Sequence, residues 1–185
     1  MSHLYYLIGP PGSGKRTVGK ELSRLTGAAL IDNHLINDPV FIALGGNRHR
    51  EAWPENVWEM VGQVYRAVLE AVKLAPHEVS HIFTNYLADD PNEPKAIERL
   101  RELAAARDAQ FLPVYLTCPV TELERRMGSP ERAEREKIND AGTLREVLER
   151  HGVLPVPNGA FTLDTSRLSP TEAAQAINEH AKGLK

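Results

Sequence analysis

The segment that most constrains this chain of 185 residues is a glycine-rich stretch close to its N-terminus. Residues 4–8 form an apolar run with the composition of a β-strand, and Val18, Leu22 and Leu25 recur at helical spacing. Between them, residues 9–17 have the sequence GPPGSGKRT. Glycines in such a turn let the backbone approach a polyphosphate and direct N–H groups at its oxygens, and the following helix N-terminus adds positive partial charge. This segment therefore predicts a phosphate-binding loop.

The side chains of this loop fit the pattern G-x-x-x-x-G-K-[ST] with one departure. Lys15 is the expected lysine and would bind the donor phosphates, but Arg16 follows it where a hydroxyl residue is normal, and the hydroxyl comes at Thr17. A glycine-rich turn with an incidental lysine is the alternative interpretation. The predicted nucleotide contacts from this loop are Gly9, Pro11, Gly12, Ser13, Gly14, Lys15, Arg16 and Thr17.

Composition and charge argue against several other classes of protein. The formal net charge of -3 gives no basic field for nucleic acid or an anionic membrane surface, and no apolar run has the length needed to span a bilayer. The single cysteine, Cys118, excludes an internal disulfide and suits a reducing cytosol. We expect one cytoplasmic domain whose partners are a nucleotide and a small-molecule acceptor, without nucleic acid or membrane.

Strand-like and helical segments alternate along the whole chain. Strands are predicted at residues 4–8, 28–31, 79–83, 111–116 and 161–164. Alternation of this kind predicts an α/β fold, with a parallel sheet covered by helices on both faces. The pairs Asp38-Pro39 and Gly45-Gly46 are expected to prevent a long helix through residues 40–44.

Ligands of parallel sheets bind at the carboxyl ends of the strands, so the residues that follow each strand are the candidates for the site. Asp32 ends the second strand and is our candidate for a general base or a metal-positioning carboxylate, in contact with the substrate; an aspartate that caps a helix or turn is the alternative. His34 is a candidate for binding substrate or acting as a base, although a lone histidine in a loop is more often structural. Asn85 and Tyr86, after the third strand, would form hydrogen bonds with the acceptor.

Arginines in two further segments are candidates for binding anions. Arg48 lies in residues 45–50, GGNRHR, which form either a flexible anion-binding loop or a solvent loop. Arg126 and Arg132 flank the break Gly128-Ser129-Pro130 after the fourth strand, as expected of a lid that closes over nucleotide phosphates. A solvated charged helix is the alternative. We predict that Arg126 and Arg132 bind the nucleotide and that Arg126, together with Lys15 and Asp32, acts in catalysis.

Four features of the sequence together resemble one group of proteins. The loop GPPGSGKRT, Asp32, the segment ELERRM at residues 122–127 and FTLDTSRLSPTEAAQAI at residues 161–177 resemble the small-molecule P-loop kinases related to shikimate kinase, gluconate kinase and chloramphenicol phosphotransferase. The loop itself is similar to that of nucleoside monophosphate kinases, in which a glycine commonly separates the lysine from the threonine.

The resemblance implies a three-layer P-loop NTPase fold, with a five-stranded parallel sheet in the order 2-3-1-4-5, helices on both faces and a small lid. It also implies ATP and Mg²⁺, with Thr17 as the magnesium ligand. On this basis we expect a single kinase domain over residues 1–185, with a substrate-binding insertion at about residues 33–76 and a lid at about residues 125–140.

The expected activity is ATP-dependent phosphoryl transfer to a hydroxyl of a small polar metabolite or antibiotic. Two alternatives remain open at this point, because Arg16 departs from the motif and the third strand ends without a carboxylate. One is a nucleotide-binding regulatory module with little catalysis, and the other is a nucleotide hydrolase without an organic acceptor.

Overall fold

A five-stranded parallel sheet forms the centre of the computed structural model, which describes residues 1–128, 138 and 140–184. The strands are β1 His3–Ile8, β2 Ala29–Ile31, β3 His81–Asn85, β4 Gln110–Thr117 and β5 Phe161–Asp164. Their order is β2-β3-β1-β4-β5, with every neighbouring pair parallel. The predicted α/β class and strand order are confirmed.

Seven α-helices in the described part of the chain cover the sheet. They are α1 Lys15–Thr26, α2 Asn33–Ala43, α3 Val57–Leu74, α4 Pro94–Ala106, α5 Val120–Met127, α6 Ala141–His151 and α7 Pro170–Gly183, with a 3₁₀ segment Asn47–Ala52. None of the helices in the described ranges is long and apolar enough to cross a membrane.

The central strand β1 contributes to a core on each face of the sheet because its side chains alternate between the faces. Tyr5 and Leu7 belong to the cluster that includes residues of α1 and α7. Leu4, Tyr6 and Ile8 belong to the cluster that includes residues of α3 and α4. Burial on both faces explains why the strand is an uninterrupted apolar run, and it fixes the position of the loop that follows.

Helix α2 runs through Pro39, so the expectation that Asp38-Pro39 would prevent a helix through residues 40–44 is wrong. A proline in a helix interior removes one backbone hydrogen bond. Here Ile36 and Phe41, on either side of it, are buried against α3 in a separate hydrophobic cluster. This tertiary packing outweighs the local cost of the proline.

Of the lid predicted at about residues 125–140, the structure describes residues 125–128 at the end of α5, Ile138, and Asp140, which precedes α6. Arg132 and the remainder of residues 129–137 lie outside the described residues.

Candidate active site

The phosphate-binding loop connects β1 to α1 and depends on its glycines. Gly12 and Gly14 have φ values of 88° and 87°, in the left-handed region that favours glycine. A Cβ atom at Gly9 would lie 2.4 Å from the carbonyl oxygen of Leu116 on β4, so only glycine fits beside that strand. Gly14 is the N-cap of α1 without a side-chain cap. Because the first N–H groups of a helix have no intrahelical partner, this terminus is suited to binding an anion.

Lys15 folds back onto its own loop. Its Nζ donates hydrogen bonds to the carbonyl oxygens of Gly9 at 2.7 Å and Pro10 at 2.8 Å. These contacts hold the ammonium group beside the glycines, where an incoming phosphate would replace carbonyl oxygens as its partner.

A cavity of about 240 Å³ opens beside the loop and brings together residues from four parts of the chain. Residues of the loop meet residues that follow β2 and residues at the end of β3. The predicted site residues that line it are Pro11, Gly12, Gly14, Lys15, Arg16, Thr17, Asp32, His34 and Tyr86. Asn33, Thr84 and Ile138 complete the lining.

Asp32 is almost fully buried at the edge of this cavity, and its two carboxylate oxygens have different environments. Oδ1 accepts hydrogen bonds from the backbone N–H of His34 at 3.1 Å and from the Thr84 hydroxyl at 3.3 Å, so Asp32 is the N-cap of α2. Oδ2 lies 3.3 Å from a guanidinium nitrogen of Arg16 as an ion pair, and it has no hydrogen bond to a described residue. Asp32 therefore caps a helix, as in the alternative interpretation, while its Oδ2 faces the positive charge of Arg16.

His34 lies in the first turn of α2 and has a carboxylate neighbour. Its Nδ1 is 2.9 Å from Oδ1 of Asp38, and both side chains are mostly buried, at 17% and 13% exposure. Residues four apart on a helix face the same side. Sequence reasoning missed Asp38 because it did not predict a helix there; the i, i+4 spacing would otherwise have revealed the pair.

Arg126, at the end of α5, is tied to the loop and to the end of β5. Its guanidinium donates to the carbonyl oxygen of Gly12 at 3.3 Å and to that of Thr165 at 2.8 Å. The Thr165 hydroxyl lies 2.9 Å from the Ser13 carbonyl oxygen, so the same contacts hold two loop carbonyls. Thr165 was missed, although its position directly after a parallel strand is the signal that selected Asp32.

The carboxylate of Glu122 also binds Arg126, at 2.8 Å. Hydrogen bonds from Arg125 and Arg126 lower the pKa of Glu122 to about 2. Glu122 therefore stays ionised and fixes the orientation of the Arg126 guanidinium.

The remaining predicted residues are not all brought to the cavity. The Asn85 side-chain amide donates to the Tyr6 hydroxyl at 3.4 Å, and the Tyr86 hydroxyl donates to the carbonyl oxygen of Gly152. Burial raises the pKa of Tyr86. Arg48 is exposed in the 3₁₀ segment and, like Asn85, is not among the described residues that line the cavity.

The residues present fit a magnesium–nucleotide complex. The left-handed glycines form a cradle open to an anion, and Lys15 supplies a positive charge beside it. Thr17 is exposed in the first turn of α1 and lines the cavity. Its hydroxyl oxygen is a ligand of the type that Mg²⁺ accepts together with phosphate oxygens and water, so Thr17 would hold the ion.

The strand order and the glycine loop before α1 define the P-loop class of α/β proteins. No protein-family model matches the chain, and no curated protein matches its sequence. Solved structures do match it along nearly the whole length.

A shikimate kinase from Acinetobacter baumannii, solved with shikimate, is 21% identical with a TM-score of 0.57, over 100% of this chain and 97% of that one. A gluconokinase from Sinorhizobium meliloti 1021 is 18% identical with a TM-score of 0.60, over 98% and 95%. An APS kinase from Mycobacterium tuberculosis, solved with AMPPNP and APS, is 14% identical with a TM-score of 0.62, over 98% of each chain. The chain therefore has the fold of the P-loop small-molecule kinases.

Proposed function

We propose that this protein is an ATP-dependent phosphotransferase that acts on a hydroxyl of a small polar metabolite or antibiotic. The observation that carries the proposal is the shared cavity, in which Lys15 and Thr17 of the phosphate-binding loop lie with Asp32 and His34 from the next strand and helix. A donor phosphate on the loop would thereby meet a polar pocket for an acceptor. The fold shared with kinases of shikimate, gluconate and APS supports the same reaction type.

Phosphoryl transfer depends mainly on positioning and on neutralising the charge of the transferred group. Lys15 and the loop N–H groups would hold the donor phosphates, and Mg²⁺ held by Thr17 would supply further neutralising charge. Asp32 would orient the acceptor hydroxyl through Oδ2, the oxygen that makes no hydrogen bond to a described residue. Arg126 and Arg132 would close over the nucleotide.

The ion pair between Arg16 and Asp32 favours a second candidate function. In this ion pair Arg16 contacts the carboxylate that would orient an acceptor. Such a contact is expected of a protein that binds a nucleotide and hydrolyses it slowly or not at all. Measuring ATP consumption with and without a panel of hydroxyl-bearing metabolites and antibiotics separates these functions. Turnover stimulated by an acceptor supports the kinase, acceptor-independent phosphate release supports a hydrolase, and binding without turnover supports a regulatory module.

The loop assignment is tested by removing the lysine. Lys15→Ala should weaken ATP binding by about tenfold or more, because the variant lacks the ammonium group beside the phosphates. Lys20→Ala is the matched control, since Lys20 is exposed on the same helix and does not line the cavity among the described residues. Calorimetric titration with ATP measures both. Equal affinities for the two variants would contradict the assignment.

A further inference from the structure

His34 is held from two sides. Its backbone N–H donates to Asp32 at 3.1 Å, and its ring Nδ1 is 2.9 Å from the carboxylate of Asp38. The peptide and the ring are thus fixed by different residues at the start of α2. A histidine with a fixed ring that lines a cavity next to a phosphate-binding loop is arranged for a directional contact with a ligand.

The contact with Asp38 determines which ring nitrogen carries the proton. An ionised carboxylate can only accept, so Nδ1 must carry the hydrogen in this contact. In the neutral ring, Nε2 is then the nitrogen with the free electron pair. The carboxylate also stabilises the imidazolium that forms when Nε2 takes up a proton, as an acidic residue does for a histidine base in hydrolases.

Asp32 is less suited to accept a proton. Its Oδ1 accepts hydrogen bonds from the His34 N–H and the Thr84 hydroxyl, and its Oδ2 is paired with the Arg16 guanidinium at 3.3 Å. Both oxygens therefore already have a partner among the described residues, and we assign Asp32 the orientation of the hydroxyl rather than the removal of its proton.

We infer that His34 is the general base of the reaction and that Asp38 is its positioning residue. This inference rests on the proposed phosphotransfer and assigns its proton-transfer step. Nε2 of His34 takes the proton of the acceptor hydroxyl as the oxygen forms a new bond to the γ-phosphorus. The bond from that phosphorus to the β,γ-bridging oxygen breaks, and ADP leaves with the electron pair. The imidazolium afterwards releases its proton to solvent.

Several other ionisable groups share the space around His34. Lys15, Arg16, Asp32 and Tyr86 line the same cavity as His34, and Asp38 is the described residue whose side chain contacts the ring. A pH profile of turnover would combine the titrations of several groups. The test therefore uses the state of the His34 ring and the effect of single variants.

The first measurement is the tautomer of His34, determined by ¹⁵N NMR of the ring in the full-length protein without ligand at mildly alkaline pH. The His34→Asn variant lacks the ring ¹⁵N signals of His34 and so identifies them, while the side-chain amide that it introduces can still reach Asp38. We expect the tautomer with hydrogen on Nδ1 in the wild type and a loss of this preference in Asp38→Asn. A ring protonated on Nε2, or a tautomer unaffected by Asp38→Asn, would overturn the role of Asp38.

The second measurement is turnover, with MgATP and whichever panel compound stimulates it, or with water as acceptor if none does. His34→Asn should lower kcat about 100-fold, within the range of general base catalysis, and leave ATP affinity within twofold. Asp38→Asn should lower kcat about tenfold, with a smaller change in the KM for the acceptor. His180→Gln, which removes a ring stacked on Phe161, is the matched control and should leave kcat unchanged.

The outcomes distinguish failure of the base from failure of the proposed function. If the wild type is active and the kcat of His34→Asn lies within threefold of the wild-type value, the assignment of His34 as the general base is overturned and the proposed function stands. A wild type that binds ATP and transfers phosphate to neither a hydroxyl compound nor water would overturn both.

Discussion

At the scale of single residues, Asp32 combines a structural hydrogen bond with a charge at the cavity. Its Oδ1 caps α2 through the His34 N–H, and its Oδ2 faces Arg16. Asparagine caps helices as well as aspartate does. Substitution by asparagine therefore separates the two roles, because it keeps the cap and removes the charge.

Asp32→Asn should lower turnover by about tenfold or more, while the free energy of unfolding falls by less than about 2 kcal/mol. The cap is kept and the ion pair with the partly exposed Arg16 is lost, so stability falls moderately. Turnover falls because an amide orients a hydroxyl less strongly than a carboxylate. Urea denaturation and steady-state kinetics measure the two effects.

Asp140→Asn is the matched control for this substitution. Asp140 caps α6 by accepting from the Thr143 N–H at 2.8 Å, and it is not among the described residues that line the cavity. Full activity in this variant is expected. Full activity in Asp32→Asn as well would contradict a role for the charge of Asp32.

At the scale of structural elements, Arg107 fixes the connection between α3 and β3. It is 1% exposed, and its guanidinium donates hydrogen bonds to four backbone carbonyl oxygens. These belong to Val72, Ala75, Pro76 and Val79. The carbonyls of Val72 and Pro76 also accept from the backbone N–H groups of Ala75 and Val79, so the guanidinium adds a second hydrogen bond there.

Arg107→Met should lower the free energy of unfolding by about 3 kcal/mol, because four backbone carbonyls each lose a hydrogen bond while the length of the side chain is kept. Arg101→Met is the control, in the helix α4 that Arg107 follows, where an exposed pair with Glu98 at 3.4 Å is expected to contribute less than about 1 kcal/mol. Urea denaturation compares the two. A loss below about 1 kcal/mol for Arg107→Met would show that water replaces the guanidinium.

The elements that could be predicted from sequence are those in which local pattern and tertiary packing agree. Residues 161–164 form β5 as predicted, and Ser169 with Glu172 forms the capping box at the start of α7 that a serine–proline–acid sequence indicates. Helix α2 was missed because the burial of Ile36 and Phe41 outweighs Pro39, and burial against a distant helix is not visible locally.

The same limit explains which parts of the candidate site were found. The loop was predictable because its glycines take positive φ values, a local requirement that the sequence itself displays. Asp38 was not recognised because no helix was predicted over the residues that bring it beside His34. Arg107 was not recognised because its partners are backbone carbonyls, which every residue has. The roles of Asp32 and Arg126 depend on contacts with Arg16 and Thr165, which only the folded chain brings together.

At the scale of the whole molecule, the cavity and two histidines of the sheet, the half-buried His3 and the buried His81, lie at opposite ends of the strands. The cavity is at the carboxyl ends, whereas His3 and His81 begin β1 and β3. Burial lowers the pKa of His81, with a further contribution from the positive charge of Arg107, and burial also lowers the pKa of His3. The folded protein therefore favours the neutral form of both rings.

The difference between the folded-state and unfolded-state pKa values of His3 and His81 predicts a loss of stability on acidification. Because the folded-state pKa of each ring lies below its unfolded value, the unfolded chain binds protons first as the pH falls from about 7. The free energy of unfolding should decrease from there until the pH passes below the folded-state pKa values. Urea denaturation across this range measures the slope, which should be smaller in His81→Gln than in the wild type. An exposed histidine, His151, provides the control; equal slopes for His81→Gln and His151→Gln would contradict the prediction.

The sheet order also affects how the protein is made. The central strand β1 is synthesised first, yet Leu4 pairs with His81 and His3 pairs with Gln110, so both of its neighbours emerge from the ribosome much later. Gly9 of the loop packs against the backbone of Leu116, which lies near the end of β4 and is synthesised later still. Pairings that are distant in sequence form slowly, and the loop reaches its final shape only after they have formed. A nascent chain that ends before β4 would therefore contain the complete GPPGSGKRT motif and lack the site to which it belongs.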